Sequence, residues 1–245
     1  MNPMDPAGWP RDILDEYQEE GRIGRRSDPY TGDSDNALVI GSTTPVAQYV
    51  AQQTIKAGGN AVDAAIAMSR AQVTCSAGAW VSFAGIATMV IRDPKTGAIH
   101  SINGPYKTFR NETDPMSIPH EEPSGRTALV PGYFAALDAA HKQFGKLAWA
   151  DLFLPSIWLA REGVAITSDV HMAAINMRRD VLKRLPETSN IYFPDGEDPW
   201  RPDGWFKQPV LAETLSRVAD EGIDYIYKGD WADAFVAQVS ADGGK

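Results

Sequence analysis

Residues 58–67, with the sequence GGNAVDAAIA, form the corner between two predicted helices. Upstream of this corner, apolar side chains recur at helical spacing behind Pro45, a residue suited to a first helical turn. Gly58 and Gly59 end that helix because glycine tolerates the left-handed backbone conformation that follows a last turn. Asn60 can cap the next helix, and Asp63 lies where a carboxylate meets free backbone N–H groups. The alanines make this second helix thin enough to lie flat against a sheet, although residues 58–67 alone also fit a tight helical corner in a core.

Short apolar segments on either side of the two helices predict strands. Residues 37–40 are rich in branched side chains and indicate a buried strand. Residues 85–92 and 98–102 are joined by the turn sequence DPKTG at 93–97, which predicts a β-hairpin. A strand, two helices and a hairpin suit a layered α/β fold with helices on a face of the sheet.

The second half of the chain is predicted to be mainly helical. Helical periodicity follows Val130-Pro131-Gly132 as far as Phe144, and it returns over Trp149–Gly163, Val170–Leu185, Leu211–Glu221 and Trp231–Val239. In the third of these segments we expect a core face and a solvated basic face. The expected core residues are Met172, Ile175, Met177, Val181 and Leu182, and the expected basic residues are Arg178, Arg179, Lys183 and Arg184.

Three ordered blocks of the sequence resemble the gamma-glutamyltransferase family. The first is the GGNAVDAAIA stretch with Ser42-Thr43-Thr44-Pro45 before it. The second is Ala128–Thr167, which resembles the family's VPG, GKLxW and PAIxLAxxG elements. The third is Phe206–Gly244, which resembles its QPxLAxTL and FYxG elements. Together the blocks cover most of Leu38–Gly244.

The resemblance implies the N-terminal-nucleophile hydrolase fold, an αββα sandwich, of which this chain supplies the large-subunit part. We therefore divide the chain into an N-terminal extension, residues 1–36, and a domain at 37–245 that a second chain completes. The extension contains one helical patch, Arg11–Glu20, and we expect it to pack loosely on the domain or on a partner chain. A partly ordered tail is the alternative.

The nucleophile implied by the resemblance is a threonine that becomes the first residue of a small subunit after self-cleavage. Its free α-amine serves as the base for its own hydroxyl. None of the threonines in this chain stands in the T-[ST]-H context expected of that residue. We therefore expect no catalytic residue in this chain, and a small-subunit partner in a heterodimer or a dimer of heterodimers.

Two departures from the family concern the substrate. Relatives carry a glycine-rich run where this chain has Trp80 and Phe83, which either fill core volume or form an aromatic wall for a less polar substrate. Family enzymes also hold the substrate's α-carboxylate with an arginine in a D-x-R-E context, and Pro105 falls at that position. Tyr106, Lys107 and Arg110 follow closely and are our candidate substrate-binding residues, with Trp80. Solvated surface charge is the alternative for Lys107 and Arg110.

Composition excludes several other classes of function. The 245 residues carry a net charge of -9, which argues against nucleic-acid binding. No uninterrupted apolar run is as long as the about 18 residues that a membrane-spanning helix needs. The single cysteine, Cys75, lies in an apolar segment and is predicted to be buried and inert. His120 beside Glu121 and Glu122 lacks a second histidine at ligand spacing, so we expect no metal and no other cofactor.

The opening residues contain no basic and then apolar run, so we expect a cytoplasmic protein without a secretory signal. The main functional hypothesis is an amidohydrolase of the gamma-glutamyltransferase type acting on a small-molecule amide. One alternative is a family-fold enzyme repurposed for acyl transfer or cyclisation on an unusual substrate. Another is a non-catalytic structural relative, since kinship of fold does not settle the reaction.

Overall fold

The structure is a computed structural model that describes residues 2–23, 44–119, 123–165, 174–194 and 205–245. The predicted strand at 37–40, Met172 and His120 lie outside these residues. The helices in chain order are α1 (Arg11–Ile23), α2 (Pro45–Lys56), α3 (Ala61–Ser76), α4 (Tyr133–Phe144), α5 (Leu154–Glu162), α6 (Arg179–Leu182), α7 (Pro186–Tyr192), α8 (Pro209–Glu221), α9 (Asp224–Tyr227) and α10 (Asp230–Ala241).

The described residues also form two antiparallel pairs of strands. Strand β1 (Ala87–Arg92) pairs with β2 (Ile99–Gly104), and β3 (Val164–Ala165) pairs with β4 (Trp205–Phe206). The chain divides into two compact units. The first contains residues 1–82 and 145–216, and the second contains residues 83–144 and 217–245.

The predicted helical corner is confirmed. Gly58 has a φ of +91°, whereas Gly59 is required for its small size, since an added Cβ would lie 2.8 Å from the carbonyl oxygen of Thr54. The Asn60 side chain accepts hydrogen bonds from the backbone N–H groups of Val62 and Asp63. The Asp63 carboxylate accepts one in return from the N–H of Asn60 at 2.9 Å. This reciprocal capping box fixes the start of α3.

The core of the first unit lies between three helices, because α2 packs on α3 and α3 packs on α5. The contact faces carry small and branched residues, which allow close packing. Val50, Ile66, Ala67 and Leu159 are buried there.

The described part of the N-terminal segment packs onto this core rather than lying loosely on it. Leu14 and Tyr17 of α1 are buried, and the Tyr17 ring stacks on Tyr49 of α2 with centroids 4.7 Å apart. The Trp9 ring meets Tyr49 edge-on at 5.4 Å. Such aromatic pairs add to the free energy gained by burial. The boundary at residue 36 lies outside the described residues and stays a prediction.

The prediction of one continuous helix over residues 170–185 is wrong. Residues 174–177 are helical, but Arg178 has a φ of -107° and a ψ of +12°, and the chain then restarts as α6. Ile175 is buried as expected, whereas Met177 is 77% exposed and Val181 is also exposed. The break changes the helical register, so side chains that share a face in a continuous helix point elsewhere. Arg179 and Lys183 also cover the ring of Phe193, each 4.9 Å from its centroid, instead of forming a purely solvated face.

The second unit is built on the β1–β2 hairpin, which confirms the predicted hairpin. Its register pairs Met89 with Ile102 and Ile91 with His100. These side chains are partly buried, and α4 packs on both strands. The hairpin therefore has one helix-covered face, as the layered fold requires.

None of the helices in the described segments combines the length and apolar character needed to cross a membrane.

The corner offers a test of conformational strain at one position. An added Cβ at Gly58 meets nothing within 4 Å, so a substitution there changes only the backbone energy. We expect Gly58→Val to lower the free energy of unfolding by about 1–3 kcal/mol, because a branched side chain is strained at positive φ. Gly58→Asn is the matched control and should lose less, since asparagine tolerates this conformation. Equal losses in urea unfolding would contradict the left-handed corner.

Candidate functional site

The end of β2 delivers the candidate residues of the second unit. Gly104, the last residue of β2, crosses Gly132 so closely that a Cβ on either would lie 2.3 Å from the other's carbonyl oxygen. The N–H groups of Gly132 and Tyr133 both donate to the carbonyl of Gly85, at 3.0 and 3.1 Å. The Pro131-Gly132 sequence therefore ties the start of α4 to the base of the hairpin. Pro105 and Tyr106 leave β2 directly from this crossing.

A backbone bridge fixes the next residue. The Lys107 N–H donates to the Val130 carbonyl at 3.1 Å, and the Val130 N–H donates to the Lys107 carbonyl at 2.8 Å. These reciprocal bonds are those of an antiparallel β-bridge. The backbone at Lys107 is thus fixed while its side chain remains exposed.

A charged pair fixes the residues that follow. Glu112 receives two hydrogen bonds from the Arg126 guanidinium, from Nε at 2.9 Å and from Nη2 at 3.0 Å. The Asp114 N–H also donates to this carboxylate at 3.1 Å. Arg126 lowers the pKa of Glu112 to about 2, because hydrogen bonds to the charged form of a carboxylate favour it. Glu112 is therefore ionised at neutral pH and serves as an acceptor rather than as a proton donor.

The structure brings together three of the four predicted substrate-binding residues. Tyr106 precedes the backbone bridge, Lys107 forms it, and Arg110 lies between it and the charged pair; all three side chains are exposed. None of the three makes a side-chain hydrogen bond or ion pair with another residue in the described ranges. Two cations and a phenol are therefore available on one short, fixed segment. Such groups can bind a carboxylate or another anionic acyl substituent.

Trp80, the fourth candidate, belongs to the first unit and is 62% exposed. It follows the end of α3, where Ala77 has a φ of +47° and its carbonyl accepts a 2.6 Å hydrogen bond from the Tyr192 hydroxyl. The core-filling alternative is therefore wrong for Trp80. It is correct for Phe83 of the second unit, whose ring stacks on Phe134 with centroids 5.7 Å apart. An aromatic side chain at position 80 is thus free to meet a substrate, and its contact with one stays a prediction.

The single cysteine of the chain is buried and unreactive. Cys75 is buried, and burial raises the pKa of its thiol to about 12. A thiol in this state has no nucleophilic thiolate at neutral pH. The prediction of an unreactive cysteine is confirmed.

The hairpin face opposite α4 is uncovered within the described part of the chain. Val90 of β1 is 74% exposed and Ile99 of β2 is 73% exposed, and Ile86 before β1 is also exposed. The two strands pair only with each other among the described residues. Large apolar side chains clustered on an exposed face are typical of a surface that another chain or layer covers.

Comparison with known proteins assigns the family. The family model described as Gamma-glutamyltranspeptidase matches residues 47–245, well over half of the chain. This chain belongs to the gamma-glutamyltranspeptidase family. The resemblance predicted from the three sequence blocks is confirmed.

Individual relatives agree with this assignment. A glutathione hydrolase proenzyme of Pseudomonas aeruginosa is 31% identical over 219 residues, which cover 80% of this chain and 35% of the relative. The solved gamma-glutamyltranspeptidase of Pseudomonas nitroreducens in complex with L-DON superposes with a TM-score of 0.69 at 29% identity, covering 86% of this chain and 63% of that chain. The Helicobacter pylori gamma-glutamyltranspeptidase shares the fold, with a TM-score of 0.78 at 24% identity over 88% of this chain and 63% of that chain.

These comparisons confirm the predicted N-terminal-nucleophile hydrolase fold. The chain spans about a third of the length of the curated relatives it matches. The gamma-glutamyltranspeptidase family match begins at residue 47, so α1 precedes the matched region.

Sequence reasoning missed the Glu112–Arg126 pair. The two residues are 14 positions apart in the chain, in segments that read as polar loop, and no periodic pattern connects them. Only the path of the chain back along residues 124–130 brings the guanidinium to the carboxylate.

The low pKa of Glu112 predicts a pH-dependent contribution to stability. Its folded-state pKa lies below the ordinary value of 4.5, so the stabilisation is complete above about pH 4.5 and is lost as the pH falls through about 2. Glu112→Gln should therefore lower the Tm at pH 7, and the difference from the unmodified protein should shrink between pH 4.5 and pH 2. Thermal unfolding of both proteins between pH 4.5 and pH 2 measures this Tm difference.

The control for this experiment is Glu213→Gln, which changes an exposed carboxylate on α8. For this variant, the Tm difference from the unmodified protein should not shrink in this way between pH 4.5 and pH 2. A Tm difference at Glu112 that stays constant or grows on acidification would contradict the ion pair.

Proposed function

We propose that this chain is the large-subunit portion of an amide-bond hydrolase or acyltransferase whose nucleophile, an N-terminal threonine, lies on a small-subunit partner. The observation that carries the proposal is the uncovered face of the β1–β2 hairpin in a chain that matches the family over residues 47–245. The exposed side chains of Val90 and Ile99 on this face favour a covering layer from a partner. The Pseudomonas aeruginosa relative is called a proenzyme, which supports an origin of both portions from one processed precursor.

In this proposal the partner supplies the chemistry. The threonine hydroxyl attacks the amide carbonyl and its own α-amine accepts the proton, so that an ester forms and the amine leaves. Water or a second amine then takes up the acyl group. Backbone N–H groups that hold the developing oxyanion are the usual source of rate enhancement in such a site.

This chain contributes substrate recognition. Lys107 and Arg110 bind a carboxylate of the acyl group, and Tyr106 donates a hydrogen bond to it. What supports these roles is the exposure of all three side chains and the fixed backbone at Lys107. The two cations follow position 105 by two and five residues, so they meet a carboxylate at a different place from an arginine at 105. Gamma-glutamyl amides, whose α-carboxylate requires that arginine, are then poor substrates.

The test of this proposal compares the chain alone with the chain and its partner. Alone, the chain should aggregate or bind hydrophobic dyes, because the hairpin face is uncovered. With the partner it should form a stable heterodimer that buries more than about 2,000 Å². Amidase activity should appear only in the complex and disappear when the first threonine of the partner is changed to alanine.

Light scattering and activity measurements on the purified chain decide the matter. A monodisperse, cooperatively melting and fully active monomer of 26.7 kDa would overturn the proposal. A stable complex without any amidase activity would favour the non-catalytic alternative.

Specificity is tested at Pro105. We expect slow turnover of a gamma-glutamyl anilide by the complex, because proline offers no donor to the α-carboxylate. Pro105→Arg should raise kcat/KM for this substrate by about tenfold, since a guanidinium binds a carboxylate bidentately. Pro105→Ala is the control and should leave kcat/KM unchanged. Efficient gamma-glutamyl transfer to glycylglycine by the unmodified complex would show that the missing arginine is already replaced.

A further inference from the structure

Arg126 is the centre of a hydrogen-bonded cluster in the second unit. Its guanidinium binds Glu112 in a bidentate manner, and the Glu112 side chain is only 4% exposed. Bidentate arginine–carboxylate pairs fix geometry as well as supplying energy. The cluster therefore restricts the orientation of Glu112, and with it the backbone at position 112.

The same guanidinium also reaches residues beyond Glu112. Its Nη2 donates to the Ser117 hydroxyl at 2.9 Å and lies 3.4 Å from the Asp114 carbonyl. The Lys245 ammonium adds a weaker contact to Glu112 at 3.4 Å. One arginine thus contacts the polar segment 112–117 at three residues. A segment of that composition has no apolar core of its own to order it.

The opposite end of the neighbouring segment is held by the Lys107–Val130 bridge. Residues 107 and 112 are therefore both attached to the stretch 126–130, one by backbone bonds and the other by the arginine. Arg110 lies between the two attachments with its side chain exposed. Neither attachment uses the side chain of Lys107 or Arg110, so both remain available to a ligand.

We propose that Arg126 is a positioning residue that holds Lys107 and Arg110 in place to bind an anionic acyl group. This inference rests on the proposed function, because it assumes that these two cations contact the substrate. Preorganised cations bind a carboxylate more tightly since less conformational entropy is lost on binding. The substrate class follows as amides whose acyl chain carries a carboxylate.

The first measurement needs no activity. Lys107 and Arg110 are trypsin sites, and a protease cleaves a folded segment only when it opens locally. We expect Arg126→Gln to raise the rate of tryptic cleavage after these two residues by about fivefold or more. The cleavage is monitored by mass spectrometry on the full chain with its partner. Arg126→Lys keeps the charge but not the bidentate geometry and should restore protection only in part. Ser117→Ala removes one acceptor and should give a smaller increase, so the test survives if Arg126→Gln does not fold.

The matched control is Arg217→Gln. Arg217 pairs with Glu221 and with Asp230 in the same unit, so its loss also removes an arginine–carboxylate interaction. It should leave cleavage after Lys107 and Arg110 unchanged. An equal increase in both variants would show a general loss of stability and would overturn the positioning role.

The second measurement uses two anilides of equal chain length on the complex. Glutaryl-p-nitroanilide carries an acyl carboxylate and valeryl-p-nitroanilide does not. Arg126→Gln should raise KM for the glutaryl substrate by about tenfold with kcat unchanged, and leave both constants unchanged for the valeryl substrate. A variant that loses an interaction made equally in the ground state and the transition state shows a raised KM with an unchanged kcat.

The outcomes separate the two proposals. If a Lys107→Gln, Arg110→Gln variant raises KM for the glutaryl substrate but Arg126→Gln does not, the positioning role is wrong and the substrate-binding assignment stands. If the double variant changes nothing, the substrate-binding assignment itself is wrong. Unchanged tryptic cleavage in Arg126→Gln overturns the inference whatever the activity.

Discussion

The buried carboxylate of Asp63 is the interaction on which the first unit depends. Asp63 is fully buried, and besides the Asn60 N–H it accepts hydrogen bonds from the backbone N–H groups of Lys146, at 3.0 and 3.1 Å, and of Leu147 at 3.3 Å. A buried carboxylate without such donors would be strongly unfavourable. One side chain thus caps α3 and also holds a segment more than 80 residues away in the chain. This explains why the GGNAVDAA and GKLxW elements occur in the same chain, since each supplies half of one hydrogen-bonded contact.

A steric constraint plays the corresponding part in the second unit. Gly104 and Gly132 approach each other too closely for any side chain, so the end of β2 and the start of α4 are fixed relative to one another. The segment that carries the candidate residues Tyr106, Lys107 and Arg110 begins immediately after this contact. Its position is therefore set by backbone packing, and the bridge at Lys107 and the pair formed by Glu112 and Arg126 extend that order outward. A segment whose backbone is held in this way can change its exposed side chains without changing its backbone.

The departure at Pro105 has a consistent structural setting. The resemblance implies an arginine at this position, whereas here Pro105 directly follows Gly104, the last residue of β2. The exposed side chains of Lys107 and Arg110 lie on the stretch that runs from the backbone bridge at Lys107 to the Glu112–Arg126 pair. In the proposed function these two cations bind a carboxylate from a neighbouring position, and differences of this kind let one fold serve different substrates.

The sequence by itself determined the local structure: the helical corner, the hairpin with its turn, the helix at 133–144 and the family. These features follow from glycine conformation, side-chain alternation and capping, which act between residues close in the chain. The tertiary structure alone decided which carboxylates would bind which distant donors, as at Asp63 and Glu112. It also decided that Trp80 is exposed while Phe83 is packed, and that the helix at 170–185 breaks at Arg178. The physical reason is that burial and pairing depend on neighbours brought together by the chain path, and the periodicity of a single segment carries no record of them.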